Sequence, residues 1–127
     1  MSDRELLELA AKAYWGDEID DVCSVEWSEP DQAIAYTHAD NQDHNGLDRW
    51  LIWNPLEDDG DALRLAVDLK LMVDNVGPFS EAAGFVGQGD DMRRIGCEEL
   101  HEHHGGDAYA ATRRAIVRAA ALAGAAS

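Results

Sequence analysis

The chain is short of cysteine, proline, phenylalanine and above all positive charge, and each shortage narrows what it can be. Its 127 residues hold two cysteines, three prolines, two phenylalanines and ten lysines and arginines. Cys23 and Cys97 lie far apart and match no zinc or redox spacing, which suits a reducing compartment and thiols that are buried or idle rather than bonded. No apolar run approaches the roughly 20 residues needed to span a bilayer. The opening MSDRELLELA is charged and helical in pattern, unlike a signal peptide. A soluble, cytoplasmic protein is therefore expected. Its length fits one domain, 1–127, with a core that needs no staples.

The scarcity of cations is the strongest global constraint. Twenty-six aspartates and glutamates oppose ten lysines and arginines, a formal net charge of −16. Residues 1–91 carry 22 acids and 5 bases, whereas residues 92–127 carry 4 acids and 5 bases. No basic footprint exists to displace counterions from a phosphate backbone, so direct nucleic-acid binding is excluded as an expectation. The same field favours basic protein partners and speeds their encounter. The competing reading is that acid only keeps a small protein in solution.

The most legible stretch is WLIWNPLEDDGDALRLAVDLKLMV, residues 50–73. An apolar strand stops at Asn54-Pro55, and Glu57, Asp58, Asp59, Gly60 and Asp61 follow. Ala62, Leu65, Ala66, Leu69, Met72 and Val73 then recur at helical spacing on one face. Asp58 or Asp59 can cap that helix, and Asp61 suits the positive end of its dipole.

Upstream, Ser2 and Glu5 form a capping box for a helix that turns Leu6, Leu7, Ala10, Ala13 and Tyr14 inward and closes at Gly16. Asp17, Glu18, Asp20 and Asp21 make an acidic loop. Residues 22–27 and 33–38 alternate as half-buried antiparallel strands, with Cys23, Val25 and Trp27 on one face and Ile34, Tyr36 and His38 on another. Residues 40–46, DNQDHNG, form a polar turn before a third strand over 47–53. Asn41, Asp43, Asn45 and Gly46 imitate the start of a calcium loop, but the twelfth position is Ile52 and the flanks read as strands, so a turn is the better reading.

Residues 74–106 are harder to read. Gly77-Pro78 breaks the pattern, and Gly84, Gly87 and Gly89 lack the spacing and context of a dinucleotide loop. A fourth strand is placed within residues 83–86. CEELHEHHGGD, residues 97–107, is the one cluster resembling a site. If its start is helical, Cys97, His101 and His104 share a face and could ligate a transition metal. The stronger reading is a solvated, histidine-rich turn, and no cofactor is expected.

Asp107 caps a last helix from Ala108 to about Ala123, closed by Gly124. Thr112, Ala115, Ile116, Ala119 and Leu122 or Ala123 face inward. Arg113, Arg114 and Arg118 form a basic ridge, expected to pair with acids of the same chain.

Three strings, LLELAA (6–11), WNPLEDDGDALRLA (53–66) and ATRRAIVRAA (111–120), resemble small bacteriophage and prophage proteins of the phage ABA sandwich domain family. The resemblance covers the first helix, the turn-plus-helix unit and the last helix, under half the chain. The histidine cluster and the glycine-rich stretch depart from it. It implies phage origin and an α+β fold, and it transfers no catalytic residue.

Together these readings give an α+β fold: a small, mostly antiparallel sheet of three or four strands packed with two or three helices. No nucleophile elbow, P-loop or family-type Cys–His signature is present, so a non-enzymatic protein is expected. The favoured function is a phage-encoded acidic module that binds a basic surface of a host protein, a nucleic-acid-binding complex for instance, and inhibits a host defence system in the manner of an anti-CRISPR. Its contact residues are expected at Asp17, Glu18, Asp20, Asp21, Glu57, Asp58, Asp59 and Asp61. The alternatives are an accessory phage protein whose acidity only solubilises it, and a metal-binding protein using Cys97, His101 and His104.

Overall fold

The computed structural model describes residues 1–16, 23–38, 49–87 and 89–126. Helix α1 spans Asp3–Trp15. Ser2 caps it by accepting from the Glu5 amide at 3.1 Å, and Gly16 ends it at φ 54°, a region open to glycine at little steric cost. Strands β1 (Cys23–Ser28), β2 (Ala33–His38) and β3 (Leu51–Trp53) form an antiparallel sheet in that order. The register sets Val25 against Tyr36 and Trp27 against Ile34, so the two alternating patterns share one face. The third strand begins at Leu51, so Arg49 and Trp50 are not part of it, and residues 47 and 48 fall outside the described residues. The DNQDHNG turn, with its calcium-loop alternative, falls outside the described residues.

Helix α2 is Asp59–Asp68, capped by Asp58, which accepts from the Asp61 amide at 2.8 Å. The helical spacing in the sequence runs on to Met72 and Val73, but the helix does not. Lys70 adopts φ 57°, and the Lys70 and Leu71 amides turn back onto the Val67 and Ala66 carbonyls at 3.1 and 2.8 Å. That is a Schellman closure with lysine where glycine is usual, so the sequence carries no stop signal. Met72 and Val73 instead open β4 (Met72–Val76), which pairs with β5 (Phe79–Val86). Strand β6 (Arg93–Leu100) completes a second antiparallel sheet in the order β4-β5-β6. The α+β class and the antiparallel pairing stand; among the described residues there are three helices, and the strands are divided between two sheets of three.

Helix α3 (Ala108–Ala125) packs on α1, on α2 and on strands β5 and β6, while α1 also meets β1 and β2. The helices thus stand between the sheets. Leu7, Ile34, Leu65 and Val117 are fully buried, and each contributes about 1.5–3 kcal/mol of apolar burial. Tyr14 stacks on Trp53 at 5.5 Å, and Trp15 meets Trp53 edge-on at 5.0 Å.

Helix α3 is also where the sequence reading needs correction. Gly124 does not close it; the helix runs to Ala125, and Gly124 is buried within it. A β-carbon there would lie 2.0 Å from the Leu9 carbonyl oxygen of α1. Glycine is required because the two backbones touch. Leu122, one of the two residues considered for the inward face, is exposed, while Ala111, Val117, Ala120 and Ala121 join Ala115, Ile116 and Ala119 inside.

Gly124→Ala reports on this crossing. At an ordinary helical glycine the change stabilises by about 1 kcal/mol. Here it should destabilise by about 3 kcal/mol, the upper part of the range for overpacking. Denaturant titration decides between the two signs.

Candidate functional site

The acidic turn after β3 is built largely for structural work. Asp58 caps α2. Asp61 accepts from the Asn54 amide at 2.9 Å and from the Arg64 guanidinium at 2.7 Å, and its side chain is only 13% exposed. Asp59 pairs with Arg113 at 2.7 Å, and Arg113 also donates to the Leu56 carbonyl at 2.8 Å. Among the described residues, the Glu57 carboxylate makes no hydrogen bond or ion pair, unlike those of Asp58, Asp59 and Asp61. The other four expected contacts, Asp17, Glu18, Asp20 and Asp21, fall outside the described residues.

The basic ridge of α3 turns inward onto acid, as expected. Glu99 of β6 is its hub. It is 13% exposed, pairs with Arg118, lies 3.7 Å from Arg114, and shares a 3.0 Å hydrogen bond with His104. Arg114 also reaches Asp3 of α1 at 2.9 Å, and Arg118 donates to the Glu98 carbonyl at 3.1 Å. Burial pushes the Glu99 carboxyl up, but the hydrogen bonds from His104 and Arg118, with the charge of Arg118, outweigh it and hold it below the ordinary range. One carboxylate thereby joins β6, the turn after it and α3.

The proposed metal set does not assemble on a helix. Residues 93–100 are strand, and His101–His104 form a single 3-10 turn. The helical spacing that would align Cys97, His101 and His104 is therefore absent. Cys97 is buried, and that burial pushes its thiol up, away from the thiolate a metal needs. His104 is engaged with Glu99. Among the described residues no three histidine, cysteine, aspartate or glutamate side chains are grouped to hold a metal ion.

His101 belongs to a polar network that the sequence reading missed. Its Nε2 lies 2.9 Å from Ser80 Oγ, which donates to Asn75 Oδ1 at 2.6 Å and lies 2.8 Å from Thr112 Oγ1. Thr112 Oγ1 also lies 2.7 Å from both Asn75 Oδ1 and the Ala108 carbonyl. A serine hydroxyl beside an imidazole resembles a nucleophile–base pair. Ser80, however, is completely buried beneath α3, so no substrate reaches it. The network ties β4, β5 and the 3-10 turn to α3. Its members are separated by up to 37 residues, and no local motif could have announced them.

No protein family, curated protein or solved structure matches the chain. Among the described residues, no helix is long and apolar enough to cross a membrane.

The Glu99 hub gives a signed pH dependence. Its carboxyl titrates lower in the folded chain than in the unfolded one, so its contribution is complete above the ordinary glutamate range near about pH 4.3. That contribution is lost as pH falls through the depressed folded-state value. Glu99→Gln should cost about 1–2 kcal/mol at neutral pH, less than a fully buried pair because Arg118 is part exposed. Acid unfolding followed by circular dichroism should show a smaller loss of stability between neutral pH and pH 3 in the variant.

Proposed function

We propose that the protein is a phage- or prophage-encoded, non-enzymatic acidic module that acts in the host cytoplasm. It binds a basic surface of a host protein and inhibits a defence system in the manner of an anti-CRISPR, its acid standing in for nucleic acid. The observation that carries this reading is how the cations are used. Among the described residues, Arg4, Arg64, Arg94, Arg113, Arg114 and Arg118 are all paired with carboxylates of the same chain. The chain holds sixteen more acids than bases, so pairing cannot neutralise its carboxylates and its net field is strongly negative. Such a field steers a basic surface and repels phosphate.

The phage origin rests on the resemblance of the three strings given above. The internal tasks of Asp58, Asp59 and Asp61 support the competing reading, in which acidity serves folding and solubility and the protein is an accessory phage component. Salt separates the two, since electrostatic association weakens as screening rises.

Affinity capture from a host bacterial lysate at low and moderate salt, read by mass spectrometry, should recover one nucleic-acid-binding complex that is lost as salt rises. Lysine at Asp17, Glu18, Asp20 and Asp21, and separately at Glu57, should slow association with that complex by about tenfold and flatten its salt dependence, because long-range charge acts on the on-rate. Capture that ignores both salt and these substitutions would support the accessory reading.

A further inference from the structure

The second sheet has two faces with opposite fates. On its inner face Ser80, Ala82, Cys97 and Glu99 lie against α3. The register puts three rows on the other face: Met72, Ala83 and Gly96; Asp74, Glu81 and Glu98; and Val76, Phe79 and Leu100. Phe85 and Arg94 extend it at one end. Met72, Val76 and Phe85 are 69, 52 and 66% exposed, and Leu100 is 37% exposed. No described element covers them.

This face combines large apolar side chains with a line of carboxylates. Asp74, Glu81 and Glu98 stand directly opposite one another across three strands, an arrangement that costs stability in an isolated sheet. One cation offsets it. Arg94 reaches Glu81 at 2.8 Å, lying across Gly96, where a β-carbon would come within 3.1 Å of the guanidinium. Ala83, paired with Gly96, is buried on this face.

We propose that this outer face is the surface that docks the partner, and that the partner presents a basic segment with apolar side chains alternating among its lysines or arginines. The proposal rests on the acidic-module reading and adds its location and chemistry. Charge complementarity decides between occupants. A second copy laid on this face would bring three more carboxylates to the same surface, whereas a basic segment neutralises the row and covers Met72, Val76 and Phe85. The net negative charge then steers the approach, and the sheet face holds the bound state.

The test uses the whole chain and a fluorescent peptide of alternating lysine and leucine, with lysine–serine and glutamate–leucine peptides as controls. Binding is read by anisotropy, and its location by amide chemical shifts. The lysine–leucine peptide should bind and shift the amides of residues 72–76, 79–86 and 93–100. Asp74→Lys with Glu98→Lys, and separately Val76→Ser with Phe85→Ser, should each weaken binding by about tenfold or more while leaving the melting temperature near that of the wild type.

Equal binding of either control peptide would overturn the proposal, because charge and apolar surface would not both be read. Shifts confined to residues 57–61, with both sheet variants binding normally, would overturn the location and leave the acidic-module reading standing. No binding of the lysine–leucine peptide at low salt would overturn both. A wild-type dimer that these substitutions render monomeric would assign the face to a second copy and overturn the basic partner.

Discussion

The contact between the Leu9 carbonyl of α1 and Gly124 of α3 sets the geometry of the rest. Two helices approach this closely only where one backbone carries no side chain. The alanines of α3 extend the same condition along its length, with Ala111, Ala115, Ala119 and Ala120 completely buried. Small side chains allow α3 to be buried on several sides at once. It receives α1, α2 and the inner face of the second sheet, and α1 in turn carries the first sheet. Polar groups then lock what the small residues bring together: Thr112 to Asn75 and Ser80, and Arg114 and Arg118 to Glu99.

That arrangement explains how a chain of net charge −16 folds and what it turns outward. The three arginines of α3 sit where acids from α1, the acidic turn and β6 converge. Exposed ion pairs such as Asp59–Arg113 contribute less than about 1 kcal/mol each, so their larger consequence is electrostatic rather than energetic. Three of the ten cations are thereby held against one helix. The outer face of the second sheet lies on the far side from α3, and there acid and apolar surface occur together.

Local signals made much of this legible. The caps at Ser2, Asp58 and Asp107, the end of α1 at Gly16, the alternation of β1 and β2, and the inward pairing of the arginine ridge all follow from residues near in sequence or from plain charge balance. The second sheet was less visible because its strands do not alternate cleanly. Strand β4 is exposed throughout, β5 has small buried residues on both faces, and half of β6 is charged. Met72 and Val73 carried helical spacing from α2, and the turn that separates them is made by a lysine. The histidine cluster forms the turn that its sequence favours, and the helical alternative fails for a related reason: the same spacing on a strand and a 3-10 turn points Cys97, His101 and His104 to different neighbours. Gly124 read as a stop because a glycine near a helix end commonly is one, and the helix it touches lies more than a hundred residues away in sequence.

The dependence of the fold on α3 is the central physical claim, and native-state hydrogen exchange tests it most directly. Amides of residues 115–121 should exchange only through global unfolding, with opening free energies equal to the stability from denaturant titration and higher than those of β3 or β4. Opening of α3 at a lower free energy than the strands around it would contradict the account, since both sheets would then persist without the helix said to hold them.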